Sequence, residues 1–185
     1  FKDNKHIYSK NLILSIPFPQ AKKLSSKFVK TKLFKNKIVM NSSITVLLMT
    51  NKTGNEVSSF FTNDKILGWV SKENSKKRFK YSKDLWVLQS TFDYGKKHTD
   101  NYRNKKKFYI TVLINKFKKL TKIKIKKIHF THIHGWKYSS NSKPLNTQSY
   151  WDKKIGLGIC GDWFGGPRLE NGWLSANDLY KKITL

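Results

Sequence analysis

The chain has 185 residues, enough to bury the core of one domain or slightly more, and its single cysteine excludes a disulfide framework. Its formal net charge is +27, but only three of its 38 basic residues are arginines, so the lysines indicate the codon bias of an AT-rich genome rather than specific nucleic-acid recognition. No apolar run approaches the length of a membrane span, and we expect a soluble, cytoplasmic protein.

The first thirty residues predict two strands and a short helix. Ile7–Tyr8 and Leu12–Ile16 are interpreted as paired strands, and the second is the nearly continuous apolar run expected of a strand buried on both faces. Two prolines stop this strand, and Ala21–Phe28 can form the helix. Because the chain opens on Phe1 in the middle of such a pattern, we expect it to be part of a longer polypeptide.

The middle of the chain predicts strands around one amphipathic helix. β-prone residues are concentrated in Ile44–Met49, Leu67–Ser71 and Leu85–Thr91. Apolar residues recur at helical spacing through Lys105–Lys119. A long alternation then predicts a strand over residues 123–133.

The last thirty residues carry the most specific pattern. The strand-like run Gly156–Cys160 leads into Gly161 and Asp162, a glycine-rich turn follows, and Glu170–Ile183 predicts a closing helix. Glycines let the backbone approach a ligand, an acid at a strand end can accept a hydrogen bond from a ribose or ribityl hydroxyl, and a helix N-terminus offers unpaired N–H groups. The order therefore suits a cofactor that carries phosphates and hydroxyls.

One glycine pattern in this region is misleading. Gly156, Gly158 and Gly161 have the spacing of the dinucleotide fingerprint, which requires a helix that opens within it and a second strand bearing an acid about 20 residues later. Here the chain continues into Asp162–Pro167 and ends after one helix. We expect that this triplet is not a Rossmann phosphate turn.

Several short motifs stand along the chain in the order in which a known family has them. They are Pro17–Gln20, Leu67–Ser71, Asn74–Lys76, Asp84–Ser90, His134–Tyr138, Gly161–Trp163, Arg168–Glu170 and Trp173–Ala176. Together they resemble the renalase-like flavoproteins, a branch of the flavin amine oxidase superfamily, over almost the whole chain. The N-terminal half of that family, with its glycine-rich FAD turn, has no counterpart in these residues.

The resemblance implies an α/β fold and a flavin enzyme. Residues 1–30 and 156–185 would supply the C-terminal strands and helix of an FAD/NAD(P)-binding Rossmann-like domain, and residues 31–155 a substrate domain of mixed or antiparallel sheet with helices. The implied activity is FAD-dependent oxidation, in which hydride passes from an amine or an NAD(P)H-type substrate to FAD, with oxygen as acceptor. The missing N-terminal half would be a partner of this chain.

The resemblance also implies site residues, and each has a plain structural alternative. The cofactor-binding set is Gly161, Asp162, Trp163, Arg168, Leu169, Glu170 and Asn171. Asp162 would face the ribityl chain or pyrophosphate of FAD, and the structural alternative is an aspartate that only stabilises a turn. The amides at residues 169–171 would face the flavin pyrimidine edge, and the structural alternative is an ordinary helix start. Trp136 and Tyr138 share one strand face and would wall the substrate pocket, or else are core aromatics. The sequence identifies no catalytic base.

A metal site is not expected. His132 and His134 would share a strand face while His129 points away, so the three cannot converge on one ion. Cys160 lies in an apolar strand, as a small buried hydrophobe does.

Two other classes of function stay open. One is a basic nucleic-acid-binding module, which salt-dependent DNA binding would test. The other is a folded remnant that no longer binds flavin, which the flavin content of the purified protein would test.

Overall fold

The computed structural model describes residues 6–29, 32–35, 38–78 and 80–185. Phe1 and the expected domain junction at residues 30–31 lie outside the described residues. The described chain has an α/β fold with two sheets and four α-helices, which confirms the expected fold class. It divides into two compact units: unit 1 comprises the described residues up to Met40 together with Ser140–Leu185, and unit 2 comprises Asn41–Ser139.

The elements follow one another along the chain. The strands are β1 (Leu12–Leu14), β2 (Met40–Thr50), β3 (Ser59–Phe61), β4 (Leu67–Lys72), β5 (Asp84–Ser90), β6 (Ile128–Asn141), β7 (Tyr150–Asp152) and β8 (Leu157–Ile159). The helices are α1 (Phe18–Ser25), α2 (Phe92–His98), α3 (Lys106–Thr121) and α4 (Leu169–Thr184).

Unit 1 is built on a three-stranded sheet in the order β1–β8–β7. β1 runs parallel to β8, with Leu14 opposite Ile159, and β7 is antiparallel to β8. Leu14, Leu157 and Ile159 share one buried cluster with side chains of α1 and with Trp163. β1 and β8, which come from opposite ends of the chain, therefore contribute to one core.

Three expectations for unit 1 are wrong. Ile7–Tyr8 forms no strand, and both side chains are exposed. β1 is not buried on both faces: Leu12 is 55% and Ile13 51% exposed, because β1 is the edge strand of the described sheet. The first helix begins at Phe18 instead of Ala21, since Pro19 is tolerated in its first turn, where a backbone N–H has no helical partner.

Unit 2 is a five-stranded sheet in the order β3–β4–β5–β2–β6, and helix α3 packs on it. The β2–β5, β3–β4 and β4–β5 pairs are antiparallel. Its core joins alternate side chains of the strands to one side of α3, where Leu113 and Phe117 are fully buried. Helix α3 and strands β2, β4 and β5 confirm the predicted elements.

The predicted strand over residues 123–133 is shifted. β6 begins at Ile128 and runs to Asn141, whereas the lysine-rich residues before it form a connection. The pairing with β2 decides this, because the Asn51 N–H donates to the Lys127 carbonyl at the end of β2. Alternation alone therefore placed the strand about five residues too early.

Candidate functional site

The candidate site is the connection from β8 to α4 in unit 1. After β8, Gly161 leads into a single 3₁₀ turn, Asp162–Phe164, and two glycines precede α4. The Gly161 N–H donates to Ser175 Oγ at 3.0 Å, and that hydroxyl donates to the Gln148 carbonyl. Ser175, whose role the sequence analysis missed, thus ties the strand end to α4; the only signal was a serine among the apolar positions of this helix.

The G-x-G-x-x-G triplet does not form a phosphate turn. No helix opens within it, since α4 begins only at Leu169 and runs to the end of the chain. A Cβ at Gly158 would lie 3.0 Å from Leu179, and one at Gly161 would lie 2.6 Å from Trp163 Nε1. These glycines serve close packing of α4 and the indole, which agrees with the expectation that the fingerprint is misleading.

Trp163 belongs to the core of unit 1. It is 1% exposed, stacks on Phe164 with ring centroids 4.0 Å apart, and donates from Nε1 to the Ile16 carbonyl at 3.0 Å. Any part that Trp163 plays in cofactor binding is therefore indirect. It fastens the turn that begins at Asp162 to the end of β1.

Asp162 keeps its carboxylate available. Its backbone carbonyl accepts from the amides of Gly165 and Gly166 at 3.0 and 2.8 Å, which closes the turn. Its half-buried side chain has no hydrogen bond to any residue that the structure describes. A Cβ built on Gly172 would lie 3.9 Å from the Asp162 Cβ, so this acid stands beside the first turn of α4.

The start of α4 lacks a side-chain cap. Arg168 occupies the N-cap position with an extended backbone, and Leu169 is 94% exposed. The Asn171 N–H already donates to the Arg168 carbonyl at 3.0 Å, whereas the amides of Leu169 and Glu170 lie where a helix offers no internal acceptor. Two amides at the positive end of a 16-residue helix therefore remain for an electron-rich ligand.

The predicted substrate-facing residues lie in unit 2, on the open face of its sheet. Trp136 is 49% exposed and Tyr138 is half-buried, and by strand alternation both lie on the face opposite the buried Ile133. The His134 and Trp136 rings are in contact, with centroids 4.3 Å apart. The reading of Trp136 as a fully buried core aromatic is thereby excluded.

The histidines and the cysteine show no common site. By alternation, His129 lies on the other face of β6 from His132 and His134. Cys160 is buried, and burial raises the pKa of its thiol. Among the described residues, no three His, Cys, Asp or Glu side chains are placed to hold a metal ion.

The Asn-Ser-Lys motif has a structural role that the sequence analysis did not assign. Asn74 Oδ1 accepts from the Leu85 N–H at 2.8 Å, and Asn74 Nδ2 donates to the Lys83 carbonyl at 2.9 Å. The motif therefore joins the end of β4 to the start of β5. Its signal was an asparagine in the turn that follows a strand, a position where its side chain often bonds to the backbone.

No described helix is both long enough and apolar enough to cross a bilayer. No protein-family model matches the sequence. The fold is similar to the crystal structure of the "Putative protoporphyrinogen oxidase" from Exiguobacterium sp. 255-15, with a TM-score of 0.66 and 13% sequence identity. The match covers 96% of this chain and 41% of that protein, so this chain spans less than half the length of its neighbour. The fold of this chain is thus similar to that of part of the neighbouring protein.

Proposed function

We propose that this chain is the C-terminal part of a renalase-like, FAD-dependent oxidoreductase of the flavin amine oxidase kind, acting in the cytoplasm. The observation that carries the proposal is the uncapped start of α4 beside Asp162, just beyond the carboxyl ends of the parallel strands β1 and β8. Ligands of α/β sheets bind at this edge. The bound flavin would supply the hydride acceptor and return the electrons to oxygen.

The residues of the connection fit a flavin. Asp162 has unused acceptor oxygens for a ribityl hydroxyl, and the amides of Leu169 and Glu170 can donate to the electron-rich pyrimidine edge. The positive end of α4 favours the negative charge that develops at that edge on reduction. Arg168 is exposed at the N-cap of α4 and would add a cation for the cofactor phosphates.

Gly172 gives independent support for a ligand over this turn. A glycine inside a helix costs roughly 0.5–1 kcal/mol relative to alanine. Packing within the described residues gives no reason for it, because a Cβ at this position would make only ordinary contacts with Asp162, at 3.8 and 3.9 Å. The absence of a side chain leaves room for a flat ring against the first turn of α4.

The substrate in this proposal is a flat molecule that stacks on Trp136 and Tyr138. Aromatic rings bind planar, conjugated substrates through offset or edge contacts. Of the two substrate classes implied by the resemblance, this favours a reduced nicotinamide over a simple amine.

The proposal includes a partner segment that carries the glycine-rich pyrophosphate turn. Its docking surface would be the outer edge of β1, next to an apolar cavity of about 640 Å³ lined by Leu12, Leu24, Phe28 and Ile155. Strands of parallel sheets are normally covered on both faces, yet Leu12 and Ile13 are exposed. A further strand and helix would cover them.

Flavin content tests the proposal. A long form, in which the chain is joined to the proposed partner segment with the glycine-rich turn, should purify yellow with FAD. In this long form, Asp162→Ala should lower FAD affinity about tenfold or more, for the loss of one charge-assisted hydrogen bond of about 1.5–3 kcal/mol. The control Asp93→Ala removes an exposed acid from α2 in unit 2 and should leave the affinity unchanged. The 185-residue chain alone should bind FAD poorly.

Two results would contradict this account. Tight FAD binding by the 185-residue chain alone would show that the cofactor site lies elsewhere. A long form that stays colourless in excess FAD would favour the folded remnant.

A further inference from the structure

Unit 2 contains a second candidate site between the end of α2 and the start of α3, which we name the α2–α3 cavity. Its volume is about 670 Å³. Small-molecule sites commonly enclose roughly 300–1,000 Å³. None of its lining residues is among the candidate flavin or substrate residues.

The floor of the cavity is a hydrogen-bonded tyrosine and histidine. Tyr109 is 4% exposed, and its hydroxyl lies 3.2 Å from His98 Nδ1. The two rings are also in contact, with centroids 5.4 Å apart. This pair fixes the His98 ring, whose other nitrogen bonds to no residue in the described part of the chain.

The walls of the cavity carry positive charge and amide groups. Lys97 and Lys105 face it together with Asn101 and Asn104, and no acidic residue is among the described lining residues. The adjacent Asp100 is already paired with Lys137, at 2.7 Å. The cavity therefore has cations and amide donors without a counter-charge of its own.

The charge at the start of α3 is the reverse of the common pattern. Acids stabilise the first turn of a helix, but α3 has none there and is entered through Lys105–Lys107. These cations stand near the positive end of the helix dipole. A bound anion would relieve this repulsion.

Phe108 at the rim identifies the kind of anion. Its side chain is 57% exposed, and its ring meets the Tyr109 ring edge-on at 5.2 Å. An exposed aromatic ring beside two lysines suits a ligand that joins a flat base to phosphates. We propose that the α2–α3 cavity binds a mononucleotide, with its phosphates on Lys97, Lys105 and the two asparagines and its base on Phe108.

Titration with ATP, AMP, adenosine and pyrophosphate tests the site. At about 0.15 M salt, ATP should bind more tightly than AMP, and both should bind more tightly than adenosine. ATP should also bind more tightly than pyrophosphate, which carries a similar charge but has no base to contact Phe108. Phe108→Ala should weaken ATP binding and leave pyrophosphate binding unchanged. The NMR signals of the His98 ring should shift on ATP binding, because this ring lies at the floor of the cavity.

A charge-matched control separates a site from general attraction to a basic chain. Lys97→Gln with Lys105→Gln should lower ATP affinity about tenfold or more. Lys118→Gln with Lys119→Gln removes the same charge from the exposed far end of α3 and should have little effect. Equal losses in the two double variants, or affinity that follows ligand charge alone, would overturn the proposal. So would preference for single-stranded DNA over ATP at equal phosphate concentration.

Discussion

Asp84 offers the sharpest test of how unit 2 is held together. Its carboxylate is fully buried at the start of β5 and accepts from the Thr53 N–H at 2.8 Å and the Thr53 hydroxyl at 2.6 Å. Lys72 Nζ lies 3.0 Å from the same carboxylate oxygen, with only 11% of its side chain exposed. The pair joins β4, β5 and the connection that follows β2.

We expect Asp84→Asn to destabilise the protein by about 3 kcal/mol. Removing one member of a buried ion pair leaves the other charge buried without compensation, at a cost of about 3–5 kcal/mol. The lower end applies because the asparagine oxygen can still accept from Thr53. Lys52, 3.7 Å from Asp84 and 56% exposed, adds little. Urea unfolding followed by circular dichroism measures the loss.

Asp100→Asn is the matched control. It removes the same charge from a pair that is shorter, 2.7 Å from Asp100 to Lys137 against 3.0 Å from Asp84 to Lys72, but in which both side chains are more than half exposed. Solvent screens such a pair, so the free energy of unfolding should hardly change. Equal, small losses in the two variants would refute the argument that burial makes the Asp84 pair important.

The pH dependence gives the same test a second readout. Burial alone would raise the pKa of Asp84, but the hydrogen bonds from Thr53 and Lys72 outweigh burial and hold that pKa below its usual value. A carboxyl whose folded-state pKa is depressed stabilises the protein above its unfolded-state pKa, and this contribution is lost as the pH falls below about 4. Asp84→Asn should therefore flatten the acid limb of the stability profile, and an unchanged limb would contradict the assignment.

Two further predictions concern the flavin site and the charge of the chain. Gly172→Ala should raise the free energy of unfolding by about 0.5–1 kcal/mol, because alanine favours the helix over glycine and the added Cβ makes only ordinary contacts. The same variant should lower FAD occupancy of the long form, because the Cβ fills the space proposed for the ring. Unchanged occupancy would show that the ligand does not lie over this turn. Duplex DNA should bind weakly and with a steep salt dependence in an anisotropy titration, since lysines predominate among the basic residues. Nanomolar, sequence-selective binding at physiological salt would instead show a nucleic-acid-binding module.

Elements whose burial follows from their own pattern could be predicted from the sequence. β2 and β5 alternate, and α3 repeats apolar residues at helical spacing, so the buried face of each is visible without its neighbours. β8 and α4 were found in the same way. Both ends of β8 and of α4 differ by one residue from the predicted ends, whereas β2 begins four residues before the predicted Ile44.

Elements that depend on a neighbour could not be placed. β6 begins where β2 can pair with it, and nothing in the local alternation marks that point. Helix α2 was missed because Gly95 interrupts its pattern. The structure explains this glycine, since a Cβ there would lie 2.2 Å from the Ser42 carbonyl oxygen. A residue chosen for a distant contact weakens the local signal on which prediction relies.

The motifs behind the family resemblance separate into two physical kinds. Asn74 and Asp84 spend their side-chain hydrogen-bonding capacity on joining strands, so these motifs report a fold and cannot by themselves report a ligand. The turn that begins at Asp162 is different, because its carboxylate and the first amides of α4 remain unused within the described chain. Among the motifs that resemble the family in the described chain, only this turn leaves polar groups available to bind a ligand at the positive end of a helix. The case for a flavin therefore rests on this turn, and a loss of folding in the Asp84 variant would leave it untouched.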